Sequence, residues 1–174
     1  TVQQTIGALP CTRVTIHAAE PLHWLHLKLP VAPKNLPAWA QQIFKQIKER
    51  QVVAEKSLAQ ALYNYFTMLT PVVVHLEDVH EASAEQLALW TELAQMLRKS
   101  KGVALIATSR LPLPMVFQEF SLQPLDFHAT QNVLQAATEY PLPLEAVNWI
   151  YQRSLGNPLF TLEFFRHLTE NGAL

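Results

Sequence analysis

Glu77 and Asp78 stand side by side at the end of an apolar run, Val72-Val73-Val74-His75-Leu76. A buried strand that ends in two acids delivers carboxylates to the carboxyl edge of a parallel sheet, where open α/β folds bind ligands. One carboxylate there can hold Mg²⁺, which takes oxygen ligands and keeps several waters. The second can orient or deprotonate an attacking water. The alternative is two acids solvated in the loop after a strand. A second apolar run, Val103 to Ala107, ends in Thr108-Ser109-Arg110. If the two strands are neighbours, these side chains lie beside the acids. Thr108 or Ser109 can then hydrogen-bond a phosphate or its water, and Arg110 can meet a phosphate by bidentate contact. Arg110 can equally form a surface ion pair with Glu77 or Asp78.

Other chemistries find less support. Of the seven histidines, His23 and His26 are close, but Pro21 and Pro30 bracket them and no third ligand is evident. A metal-dependent hydrolase built on Glu77, Asp78 and His80 stays open as a reading. The single cysteine, Cys11, excludes an internal disulfide and a cysteine-based zinc site. There is no G-x-S-x-G elbow for a serine nucleophile. The four glycines, at 7, 102, 156 and 172, form neither a G-x-x-x-x-G-K-[ST] loop nor a G-x-G-x-x-G turn. Gly156-Asn157-Pro158 reads as a tight corner between helices, with Asn157 as N-cap and Pro158 as the first helical residue.

The elements that must position these residues follow from periodicity. Thr12 to Ala18 alternates β-branched residues and reads as a strand. Residues 19–36 carry Pro21, Pro30 and Pro33 and read as irregular. Helices are expected from Ala38 to Arg50 and from Glu55 to Leu69. Thr70-Pro71 stops the second, and the acid-tipped strand follows. Ser83 with Gln86 three residues on forms a capping box for the next helix. Gly102 separates that helix from Val103–Ala107, and Phe120 to Gln123 reads as a shorter strand. From Asp126 the texture is helical only, with helices expected near 128–139, 143–154 and 158–171. Strands alternating with helices predict a parallel α/β sheet, here an α/β domain over residues 1–125, with a three-layer core over 12–125, and a helical subdomain over 126–174.

Composition bounds the function. The chain has 174 residues, 49% of them hydrophobic and only 16% charged, which excludes a disordered tail. Thirteen basic against fourteen acidic residues give a formal charge of −1, so no basic clamp for nucleic acid is expected. Without a signal peptide or an apolar run of ~18 residues, the protein is expected to be soluble and cytoplasmic, with no membrane partner.

VVVHLEDVHEASAEQLALWTEL resembles the Walker B strand and following helix of the STAND class of AAA+-like P-loop ATPases. The class includes MalT-like, LuxR-type and SARP-type bacterial transcription regulators. ALIATSR, residues 104–110, is similar to the class's sensor-1 strand. FSLQPLDFHATQNVL, 120–134, resembles the entry to its helical lid, and RSLGNPLFTLEFFRHLTENGAL, 153–174, the lid segment with Gly-Asn-Pro. The resemblance spans residues 72–174. It departs at Glu81, where the class carries Trp, at Ser83, where it carries Asp, and in lacking the Walker A loop and lysine. It implies a P-loop NTPase-like core truncated at its N-terminus and followed by a lid. Glu77 would take the Mg²⁺-associated position and Asp78 the water-activating one. Arg110 would be the sensor-1 arginine and Pro158 the adenine-side proline, while Thr108 joins them as a nucleotide-binding candidate from its place at the strand end. ATP and Mg²⁺ would be cofactors of the parent protein, with neither bound tightly by this chain. The expected partners are an upstream P-loop segment, downstream effector or DNA-binding domains, and a second copy in a homo-oligomer. TVQQTIGAL resembles the end of the helix after the P-loop. An interaction module that keeps the fold without nucleotide binding is the competing reading.

Overall fold

The computed structural model describes residues 11–30, 33, 35–113 and 118–172. The expected N-terminal helix end, within residues 1–10, lies outside them. The chain divides into two compact units, Thr1–Phe117 and Gln118–Leu174, and each is described by itself.

The first unit holds a parallel sheet of three strands in the order β1 (Thr12–His17), β2 (Val72–Glu77) and β3 (Val103–Ala107). The register sets Thr12 beside Val72 and His17 beside Glu77, and Val72 beside Val103. β2 is central, and its first five residues are all buried, as a continuous β-branched run requires. β1 lies at an edge and alternates instead: Val14 and Ile16 are buried while Arg13 and Thr15 are exposed.

Helices fill the crossovers. Between β1 and β2 lie a 3₁₀ turn (Leu22–Trp24), α1 (Leu25–Lys28), α2 (Ala38–Lys48) and α3 (Glu55–Met68). Between β2 and β3 lie a 3₁₀ turn (Val79–Glu81) and α4 (Ala84–Leu97). Two right-handed crossovers that advance in the same direction across a sheet place their helices on the same face. The burial agrees. Leu58, Leu62, Phe66, Leu89, Trp90 and Leu93 share one core cluster with Val14, Ile16, Val74 and Leu76, whereas Val73 and His75, on the other face of β2, lie outside it. The helices packed on the sheet among the described residues thus form one layer, and the expected third layer is not among them.

Local signals account for the helix ends. Ser83 and Gln86 close the capping box of α4 in both directions, at 3.2 and 2.9 Å. Two long-range bonds then tie α4 to the end of β1. Trp90 Nε1 donates to the Ala18 carbonyl at 3.1 Å, and Gln86 Nε2 to the Glu20 carbonyl at 2.9 Å. The residues after the first and second strands are therefore held in register.

Tyr65 is buried in α3, and its hydroxyl donates to the Pro30 carbonyl. Burial pushes its phenol up to about 12. The unfolded phenol ionises near 10, so this contribution to stability is complete below about pH 10 and is lost as pH rises toward 12. Urea titrations at stepped pH are expected to show a loss of up to about 1.4 kcal/mol per pH unit in that window. Tyr65→Phe should remove the slope; an unchanged slope would assign it to another group.

The second unit is helical: α5 (Phe127–Ala136), α6 (Leu144–Ser154) and α7 (Pro158–Glu170). Leu134, Val147 and Ile150 form its buried centre, with Phe127, Trp149, Phe164, Phe165 and Leu168 packed around them. Asp126 caps α5 through the Ala129 N–H at 2.7 Å. Asn157 caps α7 through the Leu159 and Phe160 N–H groups, with Pro158 in the first turn.

Two expectations fail locally. Phe120–Gln123 forms no strand; Phe120 and Leu122 are exposed and no neighbouring strand accepts them. The segment after β1 is not wholly irregular, because Pro21 and Pro30 bracket the helical turns of residues 22–28 rather than breaking them.

Candidate functional site

The carboxyl ends of β2 and β3 meet. The Thr108 N–H donates to the Leu76 carbonyl and the Val79 N–H to the Thr108 carbonyl, both at 2.9 Å. Thr108 Oγ1 also accepts from the Asp78 N–H at 3.3 Å. The turn between these bonds places Asp78 in the left-handed region, at φ 51° and ψ 48°. Only a few per cent of non-glycine residues sit there, with Asp and Asn enriched. Such backbone clusters at ligand sites. Val79 is buried directly behind the turn, which fixes it to the core.

Histidines surround the acids. His17, at the end of β1, places Nε2 3.5 Å from Asp78 Oδ2 and 3.7 Å from Glu81 Oε2. His80 places Nδ1 4.0 Å from Asp78 Oδ1 and Nε2 3.9 Å from Glu81 Oε1. The four side chains form a ring in which imidazole and carboxylate alternate. The Arg110 N–H also approaches His80 Nδ1, at 3.4 Å. His75 projects from β2 beside Glu77, with Nδ1 3.6 Å from Glu77 Oε1. It is 5% exposed, and neither ring nitrogen has a hydrogen-bond partner among the described residues.

Glu77, Asp78, Thr108 and Arg110 thus lie at the ends of two adjacent strands. Pro158 lies in the second unit, in the first turn of α7. Arg110 is exposed, and its guanidinium forms no ion pair with Asp78. His17 carries no motif, and the pairing of β1 with β2 brings it in; Glu81 is held near Asp78 by the 3₁₀ turn after β2. The only advance signal for His17 was its place at the end of a predicted strand.

The Asp78 carboxylate is 39% exposed, so water reaches it and it can accept a proton from that water. No group of three His, Cys, Asp or Glu among the described residues is arranged to hold a metal ion. A Mg²⁺ beside Glu77 would therefore take most of its ligands from water and a bound phosphate, the habit of that ion. An open groove between α2 and α3, lined by Trp39, Gln42, Ile43, Gln46 and Lys56, lies on the helical layer and contains no acid. Among the described residues no helix is long and apolar enough to cross a membrane.

The class defined by these observations is a mixed α/β chain with a parallel sheet and acids at its carboxyl edge. No protein-family model, curated protein or solved structure matches the chain.

Proposed function

We propose that these residues belong to a STAND-type ATPase switch in a cytoplasmic signalling or transcriptional regulator, with nucleotide and Mg²⁺ meeting at Glu77 and Asp78. The observation that carries the reading is the left-handed Asp78, joined through its N–H to Thr108 at the tip of the neighbouring parallel strand. The reading takes Val72–Glu77 as the Walker B strand and Val103–Ala107 as the sensor-1 strand, and this bond joins their tips. In this reading Glu77 is the Mg²⁺-associated acid and Asp78 the water-activating one. Thr108 and Arg110 read the phosphates, and Pro158 meets the adenine.

Among the described residues no strand pairs with the outer side of β3, which agrees with the reading. Gly102 and Thr108 bond β2 through their backbones. By the alternation of a strand, the backbone groups of Val103, Leu105 and Ala107 face away from β2. β3 carries no Lys, Pro or other charged guard, the devices that protect a true edge. A P-loop strand supplied by the parent protein would pair there and bring its phosphate loop beside Glu77 and Asp78. Downstream effector or DNA-binding domains and a second copy complete the proposed partners.

A specific observation favours the competing interaction module. His17 and His80 flank the Asp78 carboxylate, and Ser83, where the class carries Asp, serves as a helix cap. Both leave fewer free groups for nucleotide.

Calorimetric titration decides. This chain alone should bind ATP with Mg²⁺ more weakly than about 1 μM, a level that needs about 8 kcal/mol, because it lacks the backbone cradle for the phosphates. A protein in which a glycine loop and its lysine precede these residues should bind in the micromolar range or tighter. No binding by that longer protein would defeat the switch and leave the interaction module.

A further inference from the structure

We draw no further inference here: the strongest candidate, the ring of His17, Asp78, His80 and Glu81 at the carboxyl end of the sheet, belongs to the site already described, and its side chains are not arranged to hold a metal ion.

Discussion

Gly156→Ala is expected to destabilise the helical unit by at least about 3 kcal/mol. Two effects add. Gly156 has φ +74°, where an L side chain is strained by roughly 1–2 kcal/mol. The larger effect is steric: an added Cβ would overlap the Leu125 carbonyl oxygen and come within 2.9 Å of the Leu125 nitrogen. That backbone cannot step aside cheaply, since the Leu125 N–H donates to the Gly156 carbonyl at 2.8 Å. The bond ties the segment before α5 to the corner between α6 and α7. Among the described residues of the unit, Leu134, Val147 and Ile150 are the only buried hydrophobic side chains, so it has little stability to spare. Limited proteolysis and thermal melts should show it opening first. Gly172→Ala is the control: φ is +65°, but nothing among the described residues lies within 4 Å of the added carbon, so only the conformational cost of roughly 1–2 kcal/mol remains. Equal effects of the two substitutions would refute the steric argument. Leu155, itself left-handed at φ 49° and exposed, makes the opposite forecast. Leu155→Gly should be stabilising by about 1 kcal/mol.

The corner was readable in the sequence because Gly-Asn-Pro states its own backbone geometry: a left-handed residue, an N-cap and a first-turn proline. The same holds for Ser83 and Gln86, whose spacing alone requires the capping box. The two strands that carry the site were readable from their apolar runs, and Thr108 falls beside Asp78 because the parallel register sets Ala107 next to Leu76. Phe120–Gln123 misled because apolar alternation marks a strand only where a neighbour supplies the ladder, and Leu122 is instead 91% exposed. The helical turns of residues 22–28 were hidden because prolines at 21 and 30 mark the limits of a short helix as readily as they mark a loop. In the site, Glu77, Asp78 and Thr108 were visible as strand tips. His17 was not, because its contacts with Asp78 and Glu81 exist only once β1 pairs with β2, and Glu81 was not, because its side chain meets the site only through the fold of the turn after β2. The left-handed backbone of Asp78 was equally hidden, since Asp adopts that region without a glycine to announce it.

Asp78→Asn separates the catalytic reading from the alternatives. Asn accepts the left-handed backbone of this position at least as readily as Asp, so the turn and its N–H bond to Thr108 should persist. The His17 and His80 contacts that are weakened join partly exposed groups at 3.5 to 4.0 Å, and even a charged pair of that kind contributes at most about 1 kcal/mol. Stability should therefore change little, and any larger effect on turnover is chemical. In a protein whose glycine loop and lysine precede these residues, nucleotide binding should survive. Backbone N–H groups, the lysine and Mg²⁺ hold a triphosphate, and none of them depends on Asp78. Hydrolysis should fall by roughly 10²–10⁴-fold, the usual contribution of a positioned base. The protein would accumulate in the triphosphate state, and a regulator switched on by that state would become constitutive. If the acids only solvate a loop, Asp78→Asn leaves turnover where it was. Single-turnover hydrolysis with saturating Mg²⁺ distinguishes the two, provided ATP binding is measured on the same preparation. A fall in both binding and turnover would place Asp78 on the metal rather than on the water. An unchanged rate would remove it from the chemistry and leave the sheet edge as a surface for partners.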